Sequence, residues 1–520
     1  MADVRWGSDI DASGYAGHRG LQYSPRPSTF ADLFAESKRW ADRTFLVHGE
    51  RRMTFAAFST AVNTGVAALR DAGVQPGDRV MLYTYNSPQW VIALWSAWRS
   101  GAVPVLANRW WKHTEVDHAI TLLEPRLILT DTALDGVDPR KARDIGSLAA
   151  DGPVSPAGFY ESDDPDATSA ILFTSGSSGL PKAVELSRRA VIANQHNILA
   201  VTRRLPHQLD LAAPQTVSLA STPMFHVGGL SNLLTNYLTG GRVVIPEGRF
   251  DAGQILGLIE REGVHNWGGV PTMAIRVLEH PDFDSFDLSS LRSFPLGGAA
   301  VPTALLDRLR VRLPHLASRG LANTWGMTEA GGFLTAATGR DLEKYPGTVG
   351  RPYPVVELSI DRPDADGVGE ILARAPSVMN GYVGIDDGTV DDEGWLHTGD
   401  LGHLVDGYLF IDGRAKDIVI RGGENIGCGQ VEAALSSHPA VVEVAAVGLP
   451  HPDLGEELAA VIVHRQGDPA PTVDELRSHV SDTLAHFAIP TRWHISTTAL
   501  PTLPGEKVDK KSLAERFDDA

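Results

Sequence analysis

The stretch FTSGSSGLPKAV, residues 173–184, carries the strongest local signal in the chain. A short apolar run enters a loop of serine and glycine that ends at Lys182. Glycines let backbone N–H groups converge, hydroxyls add donors, and the lysine adds positive charge, so the loop is predicted to hold a polyphosphate. The alternative is an ordinary surface turn. It is not a Walker loop, because Ala183 follows Lys182 where that motif needs Ser or Thr.

Around this loop, apolar stretches alternate between helical and strand spacing. From residue 30 to 131, helix-like segments such as AFSTAVNTGVAALRDAG separate short apolar runs such as VMLYTY and VPVLAN, and the rhythm recurs over residues 170–246. Such alternation predicts an α/β fold with parallel sheets and crossover helices. From about Tyr353, short strands between Gly, Asp and Pro predict a small antiparallel or barrel-like layer. Beyond residue 415 the order helix, strand, strand, helix predicts a small α+β domain.

Composition excludes several classes of function. The 520 residues are 43% hydrophobic and 21% charged, which is typical of globular domains. A formal charge of −18 opposes a nucleic-acid or anionic-membrane partner. The single cysteine, Cys428, excludes an intrachain disulfide and a Cys-rich zinc module. Without a secretory signal pattern or an apolar run of about 18 residues, the chain is expected to be cytoplasmic, with no integral membrane segment.

Six further motifs follow residues 173–184 in a fixed order. They are PMFHVGG (223–229), LGGAAV (296–301), NTWGMTE (323–329), WLHTGD (395–400), DGRAKDIVIRGGENI (412–426) and LPGEKVDKK (503–511). In this set the chain resembles the adenylate-forming superfamily, which includes acyl-CoA synthetases, nonribosomal peptide adenylation domains and beetle luciferases, and among them bacterial fatty-acyl-CoA synthetases most. It departs at Ala183 for Gly, at Trp325 for Tyr or Phe, and at Gly505 and Glu506, where PGEK replaces the usual PTGK.

The resemblance implies ATP and Mg²⁺ as cofactors and coenzyme A as co-substrate. It implies that Glu329 and Thr174 hold the metal, for which hard oxygens are suited, while the alternative for Glu329 is a solvated surface carboxylate. It implies that Asp400 and Arg414 contact the ribose and that Trp325 stacks on adenine, although acid and arginine are more often structural ion pairs when taken alone. The full set implied for ATP is Thr174, Ser175, Gly176, Ser177, Ser178, Gly179, Lys182, Gly298, Ala299, Ala300, Asn323, Thr324, Trp325, Gly326, Met327, Thr328, Asp400, Ile411, Arg414 and Lys507.

The same resemblance implies that Lys507 bridges the carboxylate and the α-phosphate, with Thr328, Glu329 and His226 as further catalytic residues. Alternatives are a solvated basic tail for Lys507 and a satisfied, partly buried role for His226. The implied architecture is an N-terminal domain, residues 1–415, and a mobile C-terminal domain, residues 416–520. Lys416 would be its hinge. Gly422 and Gly423 would then line the route of the CoA thiol.

The predicted acyl pocket is apolar and carries no arginine or lysine, which favours an uncharged tail. Its candidates are Phe225, His226, Gly229, Asn232, Trp267, Gly331 and Phe333. We therefore expect an acyl-CoA synthetase for a medium-chain or long-chain fatty acid or a similarly bulky apolar carboxylate. An enzyme that loads a carrier protein's phosphopantetheine, an aryl-CoA ligase and a luciferase-type oxygenase stay open as alternatives. The expected partners are small molecules, and a homodimer is among the assemblies left open.

Overall fold

A computed structural model of the chain describes residues 5–149, 158–175, 180–415, 417–422, 424–503 and 505–518. The predicted site residues Gly176, Ser177, Ser178, Gly179, Lys416 and Gly423 lie outside them. The helices are, in chain order, α1 (Phe30–Glu36), α2 (Phe55–Asp71), α3 (Pro88–Arg99), α4 (His113–Leu123), α5 (Arg188–Val201), α6 (Val227–Thr239), α7 (Ala252–Glu262), α8 (Pro271–Leu278), α9 (Thr303–Arg312), α10 (Gly339–Lys344), α11 (Cys428–Ser436), α12 (Val473–Val480) and α13 (Lys510–Asp518). Short 3₁₀ helices are Ser37–Trp40, Ile145–Ala149, Pro206–Gln208, Phe283–Ser285, Pro314–Leu316 and His486–Ala488.

The strands make up most of the remaining regular structure. They are β1 (Asp9–Asp11), β2 (Gln22–Ser24), β3 (Thr44–His48), β4 (Arg51–Thr54), β5 (Arg79–Tyr83), β6 (Val103–Leu106), β7 (Leu127–Thr130), β8 (Ala142–Asp144), β9 (Thr168–Ser175), β10 (Pro181–Ser187), β11 (Val217–Leu219), β12 (Arg242–Ile245), β13 (Asn266–Trp267), β14 (Phe294–Gly297), β15 (Leu321–Met327), β16 (Gly332–Thr338), β17 (Arg351–Pro352), β18 (Glu357–Asp361), β19 (Gly369–Arg374), β20 (Gly381–Tyr382), β21 (Leu396–Val405), β22 (Tyr408–Arg414), β23 (Ile418–Arg421), β24 (Glu424–Gly427), β25 (Glu443–His451), β26 (Gly455–Val463) and β27 (Arg492–Ser496).

The α/β alternation predicted from the sequence is confirmed. One sheet has the order β20-β10-β9-β6-β5-β7-β8, with β5 parallel to β6 and β7. Strand β6 is buried along its whole length, as expected for the centre of a parallel sheet. Strand β10 returns antiparallel to β9 and sets Lys182 opposite Thr174. The two ends of the predicted phosphate loop are therefore held side by side by the sheet.

Two further sheets are built from strands β3, β4 and β11 to β17. In the order β13-β11-β12-β3-β4, strand β11 is parallel to β12 and β13. In the order β14-β15-β16-β17, strand β14 runs parallel to β15, so their carboxyl ends lie together. The antiparallel layer predicted after Tyr353 is present as β18-β19-β21-β22.

The C-terminal residues build a sheet and a core of their own. The order is β24-β23-β26-β25, with β27 parallel to β26. Its core includes Val431, Leu458, Ile462 and Cys428. Burial raises the pKa of the Cys428 thiol to about 11. A domain boundary between residues 415 and 416 stays a prediction, because Lys416 is outside the described residues.

Two helices are shorter than their apolar spacing suggests. Helix α1 ends at Glu36, where the Ser37 hydroxyl donates to the Phe34 carbonyl and a 3₁₀ turn follows. Such local bonding by serine competes with continued α-helix. Helix α12 likewise ends at Val480. Within the part of the chain that the structure describes, no helix has the length and apolar character needed to cross a membrane.

Candidate active site

The candidate site lies at the joined carboxyl ends of β14 and β15, against a loop from the C-terminal sheet. The chain turns at Gly298 with φ +75°, a conformation that glycine adopts without strain. A Cβ atom added there would lie 3.7 Å from Lys507 Cε and 3.6 Å from Val270 Cγ1. Gly298, Ala299 and Ala300 are exposed. The turn therefore faces Lys507 across open space.

Asp400 is the buried acid of the site. It is 2% exposed, and its carboxylate accepts hydrogen bonds from Trp325 Nε1 at 2.7 Å and from Arg414 Nε at 2.8 Å. Burial lowers the pKa of Arg414, but the charge and hydrogen bond of Asp400, with the charges of Asp417 and Glu329, together outweigh it and raise that pKa. Three residues predicted to meet the nucleoside are thus brought together. Trp325 gives Asp400 an N–H partner, while its predicted stacking on adenine stays a prediction.

A second cluster surrounds Glu329. The Tyr382 hydroxyl donates to Glu329 Oε1 at 2.8 Å and also lies in hydrogen-bond contact with Thr174, so the two predicted metal residues meet across it. Burial, with the Glu329 charge next, raises the pKa of Tyr382. Lys182 Nζ lies 4.4 Å from the centre of the Tyr382 ring and 3.0 Å from Asp387 Oδ2. The sequence reasoning missed Tyr382 and Asp387, since no spacing in the sequence links them to Glu329.

The oxygen donors at Glu329 fit a magnesium ion. Tyr382 bonds Oε1 of Glu329, and Glu329 and Thr174 would supply carboxylate and hydroxyl oxygens to a cation. Among the described residues, no three His, Cys, Asp or Glu side chains converge as a metal cage. That suits Mg²⁺, which keeps several waters and combines one or two carboxylates with substrate phosphates.

Lys507 stands among charged groups of both signs. Burial within the walls of the cleft lowers the pKa of its ammonium, Arg414 lowers it further, and Glu329 and Asp400 oppose the change. The residue retains exposure to solvent at the cleft. These neighbours come from two different sheets, with Asp400 and Arg414 on β21 and β22 and Glu329 between β15 and β16, so the fold assembles the predicted catalytic lysine with the predicted metal and ribose acids.

His226 lies beside the same loop. It is the N-cap residue of α6 and is half-buried against Phe225. A Cβ atom added at Gly505 would lie 3.0 Å from His226 Nε2. The histidine therefore flanks the backbone that carries Lys507, and its catalytic role stays a prediction.

Several other predicted nucleotide residues bond within the protein. The Asn323 amide donates to the Thr348 carbonyl at 3.0 Å, inside the core, and the Thr324 hydroxyl donates to the Leu296 carbonyl at 3.1 Å. A Cβ at Gly326 would overlap the Gly332 carbonyl oxygen. Thr328 and Met327 are half-buried, and Ile411 packs at the edge of the main core. These contacts weaken the prediction that the Asn323 side chain touches a nucleotide.

The residues predicted for the acyl pocket differ in their burial and in their contacts. Phe225 is buried and packs against Trp110, and the Trp267 indole donates to the Ser221 hydroxyl at 2.9 Å. Asn232 accepts a hydrogen bond from the Asn236 side chain. A Cβ at Gly229 would overlap the Pro223 carbonyl oxygen, and one at Gly331 would overlap that of Ser377. Close backbone contacts therefore explain why both positions are glycine, which weakens the prediction that they border an acyl pocket.

The space between α5 and α6 is filled by polar groups. The Asn194 amide donates to the Ser231 hydroxyl at 2.7 Å, and its oxygen accepts from the Phe333 N–H at 3.2 Å. Asn194 and Ser231 are 2% and 1% exposed. A Cβ at Gly228 would lie 3.9 Å from Phe333 Cζ. Phe333, predicted for the acyl pocket, therefore lies beside buried polar side chains of α5 and α6.

A cavity of about 290 Å³ lies on the other side of the lysine loop. Four residues of the loop, Thr502, Leu503, Gly505 and Glu506, line it, together with Arg249 and Phe250. None of the predicted acyl residues lines it. Gly422, predicted for CoA, has φ +61° and donates its N–H to the Leu454 carbonyl within the C-terminal sheet, so its role toward CoA stays a prediction.

Comparisons with known proteins agree with this arrangement. Residues 33–383 match the family described as AMP-binding enzyme, and residues 430–504 match the AMP-binding enzyme C-terminal domain. A feruloyl-CoA synthase from Amycolatopsis sp is 34% identical over 91% of this chain and 96% of its own. An indoleacetate–CoA ligase from Aromatoleum aromaticum is 31% identical over 83% of this chain and 89% of its own. The crystal structure of ATP-bound MatB from Rhodopseudomonas palustris superposes with a TM-score of 0.81 at 26% identity, covering 94% of this chain and 99% of that one.

Proposed function

The chain belongs to the AMP-binding enzyme family, and from that premise we propose a CoA ligase for a compact, ring-bearing carboxylic acid. It is an AMP-forming acid–thiol ligase whose cofactors are ATP and Mg²⁺ and whose co-substrate is CoA. The observation that carries the proposed mechanism is Lys507, lodged beside Gly298 among Glu329, Asp400 and Arg414. That is where positive charge is needed when a carboxylate and a triphosphate are brought together.

In the proposed first step, a carboxylate oxygen of the acid attacks the α-phosphorus of ATP and pyrophosphate leaves. Lys507 donates hydrogen bonds to the oxygens on which negative charge develops, and Asp400 holds the ribose. Glu329, oriented by Tyr382, is the proposed ligand of Mg²⁺, which neutralises phosphate charge when bound. In the second step, the CoA sulfur attacks the acyl carbon, AMP leaves, and the thiol proton passes to solvent.

A ring-bearing acid is the first candidate on two grounds, the contacts of Phe333 and the names of relatives. The Asn194 side chain bonds both the Ser231 hydroxyl and the Phe333 N–H, so buried polar groups, which do not suit a long alkyl chain, lie beside this predicted acyl residue. The feruloyl and indoleacetate enzymes among the relatives are named for acids that carry an aromatic ring. A medium-chain or long-chain fatty acid, which the sequence favoured, is the second candidate, since the lining residues Val270 and Phe333 are apolar.

The test is pyrophosphate release over a panel of acids, each with and without CoA. Hydroxycinnamic and arylacetic acids are compared with straight-chain acids of increasing length. We expect kcat/KM to be highest for the ring-bearing acids and to fall for long chains. A steady rise with chain length, about fourfold for each buried methylene, would favour the fatty-acid candidate instead. Pyrophosphate release that is coupled to a carrier protein and not to CoA would favour the carrier-loading alternative.

Phe333→Ala sharpens the same test. Removing the ring opens space toward α5 and α6, so we expect longer acids to gain relative to aryl acids. Phe286→Ala is the control, because Phe286 packs at the edge of the core formed by α7, α8 and α9. A selectivity profile unchanged by Phe333→Ala would argue against this end of the pocket.

For the second step we propose that residues 416–520 rotate about Lys416 and free the cavity beside the lysine loop for the thiol. The support is that this loop forms one wall of the 290 Å³ cavity. Lys416→Pro fixes φ near −65° and removes an N–H, so thioester formation should fall while adenylation persists. Lys416→Ala, which leaves the backbone free, is the control. Equal thioester rates in the two variants would place the pivot elsewhere.

A further inference from the structure

The residue before Lys507 is anchored to the other domain. The Glu506 carboxylate pairs with the Arg276 guanidinium of α8, and the Thr272 hydroxyl of the same helix donates to the Glu506 carbonyl oxygen. Arg276 Nη2 also reaches Thr502 Oγ1 at 3.5 Å. The side chains of Arg276 and Glu506 are 28% and 19% exposed. Thr272 and Arg276, one turn apart on α8, thus hold the loop that carries the predicted catalytic lysine.

The backbone at Glu506 indicates that these contacts hold the residue in a disfavoured conformation. Glu506 has φ +66°, in the left-handed region where glycine is at ease and other residues are disfavoured. Gly505, just before it, is also left-handed at φ +89°. A glutamate held in such a conformation needs compensating contacts, and Arg276 supplies the charged one.

A second ion pair of opposite polarity lies one turn along the same helix. Glu279, the residue that caps α8, accepts two hydrogen bonds from Arg465 at 2.8 Å and 2.9 Å. Arg308 of α9 contacts the same carboxylate. Arg276 and Glu279 are three residues apart and therefore share a face of the helix. A positive and then a negative residue on α8 meet a negative and a positive residue of the C-terminal domain, which allows only one docking register.

We propose that Arg276 and Glu506 are positioning residues that hold Lys507 in the cleft for adenylation and release it before thiol attack. The inference rests on the proposed function, in which Lys507 serves the first half-reaction only. Neither residue touches the reacting atoms; both act through the loop. The pair exists only while the loop is docked on α8, so it stabilises the adenylating arrangement alone. Breaking it should slow the first step and leave the second unimpaired.

The experiment compares Arg276→Gln, Glu506→Gln and the charge exchange R276E/E506R with the wild-type enzyme. Pyrophosphate release from ATP and acid reports the first half-reaction. Consumption of supplied acyl-adenylate by CoA reports the second. We expect each single variant to lose about tenfold in the first rate, the size of one partly buried charge pair, and nothing in the second. The exchange should recover most of the loss, and Arg276→Lys should lie between.

Arg312→Gln is the matched control. Arg312 pairs with Asp284 at 2.9 Å in the layer that contains α8 and α9, so an ion pair is lost without loosening the lysine loop. We expect both of its half-reaction rates to stay near wild type.

Hydrogen exchange of residues 501–509 provides a readout that does not depend on turnover. In this loop the Leu503 N–H donates to the Lys507 carbonyl and the Glu506 N–H donates to the Leu503 carbonyl. These amides should exchange about tenfold faster in Arg276→Gln and regain protection in the exchanged pair. A wild-type enzyme inactive on every acid would refute the proposed function, and the exchange data would still judge the anchor. Equal loss in both half-reactions, or no recovery on charge exchange, would overturn the positioning role.

Discussion

The two sides of the cleft are held together by different kinds of contact. On the nucleotide side, Asp400, Trp325 and Arg414 bond to one another between strands β15, β21 and β22. On the lysine side, Lys507 is held through Glu506 of its own loop and Arg276 of helix α8, which are separated by 230 residues. The first set forms when its own layers fold. The second joins α8 to the lysine loop of the C-terminal part, so in the proposed rotation it would be broken and formed again within a catalytic cycle.

The largest effect should come from the lysine side. Lys507→Ala removes the charge placed against the developing anion, so adenylation should fall roughly 10²-fold to 10³-fold. Thioester formation from supplied acyl-adenylate should persist, since in the proposed rotation the loop leaves the cleft for that step. Lys511→Ala, an exposed lysine of the same segment, is the control and should be silent. Similar losses in both lysine variants would support the basic-tail interpretation.

On the nucleotide side, Asp400→Ala should lower kcat/KM for ATP by about 100-fold, because ribose and Arg414 lose one shared acceptor. Trp325→Phe keeps a flat ring and removes only the indole donor, so a loss of about fivefold is expected. Urea midpoints of both variants distinguish misplacement from unfolding. If Trp325→Phe lowered kcat/KM for ATP as much as Asp400→Ala, the indole would have a role beyond orienting the Asp400 carboxylate.

The pH dependence of adenylation should report on the lysine side of the cleft, through the charge of Lys507. Burial disfavours the ammonium of Lys507, so its pKa lies below the ordinary 10.5. Adenylation needs the charged form and should therefore decline as pH rises through that lowered pKa, by about tenfold per unit. The measurement is kcat/KM for pyrophosphate release against pH. Lys507→Arg, which stays charged, should flatten the alkaline limb, and an unchanged limb would assign it to another group.

The smallest effect should come from Tyr382→Phe. The ring and its contact with Lys182 remain, while the hydrogen bond to Glu329 is lost. We expect the Mg²⁺ concentration for half-maximal adenylation to rise about threefold, the size of one hydrogen bond. Tyr408→Phe is the control, since its hydroxyl bonds Asp341, outside the Glu329 cluster. A normal Mg²⁺ requirement would make Tyr382 a packing residue.

Sequence reasoning succeeds where a local pattern has a single structural meaning. The runs VMLYTY and VPVLAN become β5 and β6, paired in parallel, because a short apolar segment between helices has few other places to go. The order of motifs also identified Glu329, Asp400 and Lys507, which the fold brings together. The family's chemistry fixes those residue types, so they can be read from the chain.

What could not be predicted is contact over long sequence separation. Nothing in NTWGMTE states that the Trp325 indole meets Asp400, 75 residues later. Likewise the change from PTGK to PGEK could be seen, but not that Glu506 meets Arg276. Gly331 illustrates the reverse problem: the sequence placed it among the acyl-pocket candidates, but could not show that the Ser377 backbone lies where its Cβ would be. A glycine in a sequence does not say which neighbour comes close.

The buried Cys428 has a practical consequence for studying this molecule. With its thiol pKa raised to about 11 and its side chain 4% exposed, it carries almost no thiolate at neutral pH. The surface therefore offers no cysteine to capture an activated acyl group that escapes. The native chain should also react little with thiol-directed labels. A pair of cysteines introduced on either side of the cleft could carry dyes whose separation reports each docking event in a single working molecule.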